Sequence, residues 1–506
     1  MIVFVVSIIL SILTGIYLFI KKKYSFFEEN GIPYIKPSFP LGNMKGIGSK
    51  YHMSEIIRKV YEECKDKGKI VGFYNLIQAA YLVTDLEIVK VVAVKDFNNF
   101  VNRGVFNNEE YEPLSAHLFS IEDDRWRFIR NKISPVFTSG KLKFMYPTIS
   151  DKAKNFVSAV DRKSKNGAPV AVKDLANRFT VDIISSVAFG MEANTLNDEH
   201  EELINIFREV FGEDGPSMFF FFFVMAFPKL AKTLRLRQFS KRLSDFFINV
   251  VGRNIKYRED NNDKRNDFLN MLIQLKNKGS IDGEFSTETK KLTLNEVLAQ
   301  CFLFFLAGSD TSSTTISFAL TQLAFNIDMQ EKLRAEILEK TKDNNGVISY
   351  ETLHEMTYLN QVVSETLRMY TPGFTLLRQS SEDFEVPDTN VTIKKGSSVW
   401  IPTLAFHFDE RFWVNPNKFD PERFTQEEIA KRPAQCYFPF GEGPRNCIGM
   451  RFGLVNVKFG VAMIIKNFKV TPNSKMEYPI KLNPKSPGMD PITGFWLNLR
   501  KFKVIF

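Results

Sequence analysis

Cys447 stands in a stretch suited to binding a metal through sulfur: Phe440-Gly441-Glu442-Gly443-Pro444-Arg445-Asn446-Cys447-Ile448-Gly449. Gly443 and Gly449 carry no Cβ, so the backbone can pass close to a flat macrocycle. Arg445, two residues ahead of the cysteine, can form charge-assisted hydrogen bonds to a carboxylate such as a haem propionate. An apolar, helix-like run follows. Backbone N–H groups converging on sulfur at a helix N-terminus lower the pKa of a thiol, and the thiolate is the form that binds metal. These residues together read as an axial thiolate ligand for haem iron. A zinc site from Cys436, Cys447 and His407 fits no common ligand spacing. Cys64, Cys301 and Cys436 form no C-x-x-C pair and no disulfide framework, and are expected to be reduced.

A second group lies mid-chain, at Ala307-Gly308-Ser309-Asp310-Thr311-Ser312. Small side chains at Ala307 and Gly308 leave room beside a helix. The Thr311 hydroxyl can compete for a carbonyl one turn back. An acid and a hydroxyl side by side over a metal can deliver protons. Alone, the group reads equally well as a solvated patch on a core helix; Cys447 tips the reading toward function. A third group, Glu365 and Arg368, places opposite charges three apart on one helix face. Such pairs are ordinarily surface features worth about 0.2–0.5 kcal/mol.

The elements that must carry these residues are legible in part. Thr293-Leu294-Asn295-Glu296 is a capping box, and a proline-free apolar run follows it through Asn326. That predicts a helix of about 33 residues and about 50 Å, broken in hydropathy but not in structure by Asp310. From Glu122 the spacing is helical, with Trp126 and Arg130 on one face and Ser134-Pro135 at the end. Short strands are expected at 70–73 and 80–83.

At the N-terminus, Met1 to Ile20 contain no charge and Lys21, Lys22 and Lys23 follow. This fits an uncleaved transmembrane signal anchor with the remainder cytosolic, rather than a cleaved signal peptide. Pro33, Pro37 and Pro40 then stiffen the chain. No Pro/Gly/Ser-rich linker and no repeat divides the rest. The expected organisation is an anchor at 1–20, a basic stop and proline-rich hinge at 21–43, and one large mainly α domain with small β-sheets at 44–506. Forty-nine phenylalanines imply an aromatic core and pocket. The net charge of +9 carries no clustered nucleic-acid motif and suits anionic lipid or an acidic protein partner. Phe219 to Phe223, followed by Lys229, Lys232, Arg235, Arg237, Lys241 and Arg242, reads either as a membrane-contacting patch or as a helix lining the substrate cavity.

The loop around Cys447 fits F-x-x-G-x-R-x-C-x-G without a miss and resembles the haem-binding loop of cytochromes P-450. The resemblance extends in the same order over the anchor, the proline hinge, Trp126 and Arg130, the Ala307–Ser312 helix, Glu365 and Arg368, and Phe419-Asp420-Pro421-Glu422-Arg423-Phe424. The chain is identified as a microsomal member; Asp96–Thr138 and Gly308–Ile337 look most like the insect xenobiotic-metabolising branch. Thr371-Pro372 departs from frequent paired prolines and Gly453 from a common alanine.

The resemblance implies a haem-thiolate fold with haem b ligated by Cys447. Trp126, Arg130, Arg378 and Arg445 would contact the propionates, and Ala307, Phe440 and Gly449 would lie beside the macrocycle. Asp310 and Thr311 would guide protons, while Glu365, Arg368 and Arg423 would form a structural triad. The implied reaction is a monooxygenation: one atom of O2 enters a lipophilic substrate, either a xenobiotic or an endogenous lipid or hormone. Electrons would come from NADPH through a separate diflavin reductase, with cytochrome b5 as a second donor, at the endoplasmic reticulum membrane. No Gly-rich nucleotide fingerprint supplies them internally. Arg127 and Lys132 are candidates to receive the acidic reductase. Phe119, within the loop 105–119, together with Phe304, Ala307, Phe374 and Leu376, would face substrate, with the turn near Gly494. The rival reading is a haem-thiolate isomerase or dehydratase that needs no external electrons; a silent haem or hydrophobe binder is a third. An Asp310–Thr311 proton pair argues against both.

Overall fold

The capping box at Thr293 forms: Thr293 accepts from the Glu296 N–H while the Glu296 carboxylate accepts from the Thr293 N–H. From there one helix runs over Leu294–Phe325. Its 32 residues make a rod of about 48 Å, with Val297, Phe302, Phe305, Ile316, Phe318 and Leu320 buried along it. A helix apolar on nearly all sides must lie inside the protein, and α5 (Val172–Phe189) and α15 (Met450–Asn467) make its largest contacts.

The computed structural model describes residues 1–211, 215, 218–265, 267–282 and 290–502, with the backbone alone at 207, 218, 219 and 222. In chain order the elements that position the site are α1 (Ile2–Tyr24), α2 (Met53–Cys64), β1 (Ile70–Asn75), β2 (Gln78–Val83), α3 (Asp123–Ile133), α4 (Ser139–Lys163), β3 (Val170–Ala171), α5 (Val172–Phe189), α6 (Glu201–Phe211), α7 (Met218–Ala226), α8 (Pro228–Thr233), α9 (Lys241–Asp260), α10 (Phe268–Asn277), α11 (Leu294–Phe325), α12 (Ile327–Thr341), α13 (Thr357–Met369), β4 (Leu376–Gln379), β5 (Ser398–Ile401), α14 (Thr403–Phe408), α15 (Met450–Asn467), β6 (Phe468–Pro472) and β7 (Trp496–Lys501). The fold is mainly α with small sheets.

Helix α11 packs most extensively on α5, and then on α15. Phenylalanines fill the joints. Phe156 of α4 stacks on Phe179 of α5 at 4.7 Å, and Phe302 meets Phe239 and Phe247 edge-on. Burying one such ring is worth about 1.5–3 kcal/mol. A second core sits on the mixed sheet ordered β1-β2-β5-β4, around Phe27, Tyr74, Tyr81 and Trp400. There β2 runs parallel to β5, pairing Ala80 with Ser398, and β4 is antiparallel to β5, pairing Leu376 with Ile401. Strands β3, β7 and β6 make a smaller sheet. The strands expected at 70–73 and 80–83 each extend toward their connecting turn, where Leu76 takes a positive φ of 54°.

The proline segment after α1 is not free. Gly72 of β1 donates to the Pro33 carbonyl at 2.8 Å and Ile35 donates back to Gly72 at 3.0 Å. The extended backbone there finds its hydrogen-bond partners on the sheet. Helix α1 is the one helix among the described residues long and apolar enough to cross a membrane, with a mean hydropathy of 2.7 over its best window and none of that window buried. Cys64, Cys301 and Cys436 are buried free thiols.

Candidate functional site

The loop that carries Cys447 is held by its own backbone. Cys447 donates its N–H to the Phe440 carbonyl at 2.8 Å, Asn446 to Gly443 at 3.0 Å, and Gly441 to Phe438 at 2.9 Å. Gly441 and Gly443 adopt φ of 79° and 73°, which glycine tolerates without strain. At Gly443 space decides as well. A Cβ there would lie 1.8 Å from the Ala93 carbonyl oxygen, part of a π-helical turn at Val91–Lys95. Gly449 is the opposite case: nothing lies within 4 Å of where its Cβ would be. It stands at the N-terminus of α15 on the wall of a cavity.

That cavity has a volume of about 190 Å³. Cys447, Phe440 and Gly449 line one side; Ala307, Gly308 and Thr311 of α11 are also on its walls. The Cys447 side chain is accessible from the cavity although it lies deep within the fold. Burial pushes its thiol up, while the backbone at Gly449 and the charges of Arg130 and Arg103 pull it down. Coordination to a cation favours the deprotonated form outright.

Three guanidinium groups, those of Arg103, Arg130 and Arg445, line this cavity, and a fourth, that of Arg378, lies near enough to repel Arg103 and Arg445. Arg445 is 3% exposed, donates to the Ile121 carbonyl at 2.8 Å and lies over the Trp126 ring at 4.3 Å. Arg130 grips the loop through the Asn446 carbonyl (3.0 Å) and Asn446 Oδ1 (2.9 Å). Arg378 is buried in β4, its Nη1 on the neighbouring Leu377 carbonyl. Arg103 donates to the carbonyls of Phe119 (3.0 Å) and Arg445 (3.2 Å). Among the described residues none of the four has a carboxylate within ion-pairing distance. Burial, and repulsion between members of the group, depress their pKa values: Arg445 to about 9, Arg378 to about 10 by burial alone, and Arg103 well below normal. Among the described residues, the buried Nε atoms of Arg378 and Arg445 find no hydrogen-bond partner.

Buried charge of one sign, with donors left over, calls for an anion. A sulfur on the wall, a missing Cβ at Gly449, small residues on α11 and four unneutralised cations fit an iron porphyrin bearing two propionates. Zinc does not fit: among the described residues no three His, Cys, Asp or Glu side chains come together. Arg103 escaped sequence reasoning because its carbonyl partners lie 16 and 342 residues away and no local motif marks it.

The sequence matches the cytochrome P-450 family over residues 33–497. The chain belongs to that family. Among similar curated proteins, cytochrome P-450 6a8 of Drosophila melanogaster is 39% identical over 95% of this chain and 96% of its own length. Cytochrome P-450 6A1 of Musca domestica is 38% identical over 96% and 95%, and the probable cytochrome P-450 6a23 of D. melanogaster is 40% identical over 97% and 98%. The protein is therefore a cytochrome P-450 monooxygenase, with haem held through a cysteine thiolate, O2 as co-substrate and electrons from NAD(P)H by way of a reductase.

The remaining expected residues of this cytochrome P-450 fall into place unevenly. Thr311 lies on the cavity wall and its hydroxyl donates to the Ala307 carbonyl at 2.7 Å, the back-bond foreseen. Asp310, next to it, is not among the residues lining the cavity. It pairs with Lys173 of α5 at 2.9 Å, and the same ammonium donates to Thr314. Glu365 and Arg368 are both fully buried, not on the surface, and bidentate at 2.7 and 2.8 Å. Arg423 joins as an ion pair to Glu365 at 3.4 Å, and Glu365 also accepts from the Asp420 N–H. Arg368 donates onward to the His407 and Pro416 carbonyls.

A second cavity of about 520 Å³ adjoins the first, sharing Arg103, Phe119 and Thr311. Phe374 and Leu376 line it. Phe304 lines only the first cavity, fixed by rings of Phe137 and Phe268. Pro487, not Gly494, brings the C-terminal region to the second wall. Within the five-phenylalanine run, Phe220 and Phe221 line this cavity, Phe221 is also 43% exposed, and Phe223 packs toward Phe106 and Val224. The side chains of Phe219 and Phe222 lie outside the described residues. Lys132 is a correction: it is 6% exposed and its ammonium donates to the Gly279 carbonyl at 2.6 Å, because α3 turns that side inward. It offers no surface to a reductase. Arg127 stays partly exposed, on a groove beside Trp126, Arg130 and Pro444.

Proposed function

We propose that this enzyme inserts one oxygen atom into lipophilic substrates bound in the second cavity, using electrons from NADPH delivered by a separate diflavin reductase. The observation that carries the reading is Cys447, whose sulfur opens onto a cavity walled by Thr311 of α11 and continuous in its lining with an apolar chamber. When bound, haem supplies oxygen activation, and a thiolate ligand favours O–O cleavage. Cys447 is the iron ligand; Arg103, Arg130, Arg378, Arg445 and the Trp126 ring hold the propionate side. Thr311 Oγ1 hands its proton toward the cavity and is reprotonated through Asp310, whose carboxylate, held by Lys173, first takes up that proton from solvent.

Phe211, Val224, Phe239, Phe374 and Leu376 give the second cavity its apolar wall, which favours lipophilic compounds. Helix α1 and Lys21–Lys23 anchor the protein in the endoplasmic reticulum membrane, with the catalytic part cytosolic. Exposed Leu230 and Leu234, set among Lys229, Lys232 and Arg235, add a second lipid contact. Arg127 and the groove beside the Cys447 loop receive an acidic reductase.

The test is the ferrous carbonyl spectrum of the purified protein. It should show the long-wavelength Soret band of thiolate ligation, absent in Cys447→Ala, and product formation should require both NADPH and reductase. An unchanged band in Cys447→Ala, or turnover without reductase, would overturn the reading.

A further inference from the structure

Glu112 is a buried carboxylate to which neither haem binding nor proton delivery gives a part. Its side chain is fully buried. A carboxylate in that position must be met by donors, and it is met by backbone: Gln238 N–H reaches Oε2 at 3.0 Å and Phe239 N–H reaches Oε1 at 2.7 Å. These amides come just before Ser240, the N-cap of α9, where a helix dipole welcomes negative charge. The nearest cation, Arg237, has its Nε 4.0 Å away and spends its Nη atoms on the Tyr111 carbonyl (2.8 Å) and Ser244 Oγ (3.0 Å).

Other ties run parallel. Gln238 Nε2 donates to the Phe106 carbonyl at 2.7 Å, and Asn108 Nδ2 to the Leu236 carbonyl at 3.1 Å. The loop before α3 and the segment before α9, some 130 residues apart in sequence, are thus buckled together, with Glu112 making two of the bonds. What the buckle holds is functional surface. Gln238 and Phe239 line the second cavity, opposite or beside Phe119 and Arg103 of the first loop. The Phe239 ring also meets Phe302 of α11 at 4.8 Å, so its position is fixed from both sides.

We propose that Glu112 is a specificity-determining positioning residue: its carboxylate fixes Gln238 and Phe239 on the cavity wall, and thereby sets the affinity for bulky lipophilic ligands. The inference rests on the second cavity being the substrate chamber. A backbone amide pair cannot be re-aimed by changing its own side chains, so removing the carboxylate releases both amides at once while leaving every residue on the cavity wall unchanged.

The test uses the full-length, haem-loaded protein in detergent and two iron-coordinating probes, imidazole and N-tritylimidazole, titrated by the Soret shift. Imidazole reaches iron without touching the wall; the trityl group must fill the second cavity. Glu112→Ala should weaken N-tritylimidazole at least tenfold and leave imidazole within twofold, with the thiolate carbonyl band intact. Unchanged trityl affinity, or equal loss for both probes, overturns the proposal. Should Glu112→Ala lose the thiolate band, Glu112→Gln decides: at least a threefold loss confined to the trityl probe supports the proposal, and no such loss overturns it. A wild-type protein whose Soret band answers neither probe refutes the functional reading and this inference with it.

Discussion

Thr311 and Asp310 are neighbours in sequence but face different surroundings. The Thr311 hydroxyl is on the cavity wall, bonded back to Ala307; Asp310 is tied to Lys173. Thr311→Ala should therefore keep the haem and its thiolate band but release reduced oxygen as peroxide, measured as hydrogen peroxide formed per NADPH consumed. Unaltered coupling would remove Thr311 from proton delivery. His407 permits a pH prediction. Its Nδ1 lies 3.1 Å from the Arg368 carbonyl and its Nε2 accepts from the Phe438 N–H at 3.1 Å, so only the neutral ring fits. Burial first, and then Arg368, push its pKa from 6.5 to about 3. Above pH 6.5 the ring is neutral in both states and its contribution is complete. Between 6.5 and 3 the unfolded chain takes up a proton that the folded protein refuses, so stability falls as pH falls, by at most about 1.4 kcal/mol per pH unit. Urea midpoints at pH 7 and pH 5 should differ less in His407→Phe than in the wild type. His407 was weighed in the sequence only as a zinc ligand, because its two partners come from distant segments.

The element scale is where the Glu365 network acts. It joins α13 to the segment ahead of the Cys447 loop, and two more bonds reinforce it: Tyr437 Oη to the Ser364 carbonyl at 3.0 Å, and the His407–Phe438 contact. Glu365→Gln leaves two guanidiniums, Arg368 and Arg423, without their counter-charge. The loss should be about 3–5 kcal/mol, read as a lower urea midpoint together with loss of the thiolate band. Gly443→Ala should fail at the same element for a steric reason, since its Cβ would overlap the Ala93 carbonyl; the measurement is haem content after purification. The elements themselves were readable where they signal locally. The α11 capping box and the Ser134-Pro135 stop of α3 fell where spacing placed them. The docking of the proline segment on β1 and the inward turn of Lys132 were not readable, since both depend on which surface a distant element presents.

Across the whole molecule, the apolar N-terminal helix is readable from composition and the cavities are not. Met1–Ile20 carry their own signal in twenty uncharged residues, whereas the second cavity takes its wall from α2, α6, α7, the segment before α9, α11 and β4. Aromatic composition announced an apolar pocket without saying which phenylalanines would line it. Removing residues 1–24 should reduce binding to phospholipid vesicles in a flotation assay while sparing the thiolate band. The remnant should stay partly bound through Phe221, Leu230 and Leu234, which are exposed. Full release would confine lipid contact to α1.

The crowd of like-charged guanidiniums at the first cavity also bears on how the enzyme is made. A polypeptide that folds before it meets its pigment must hold those cations together against their own repulsion. Porphyrin arrival relieves that repulsion and adds ligand binding energy to the folded state alone. In a cell, the amount of intact enzyme should rise and fall with porphyrin supply, and starved cells should accumulate a protease-sensitive precursor in its place.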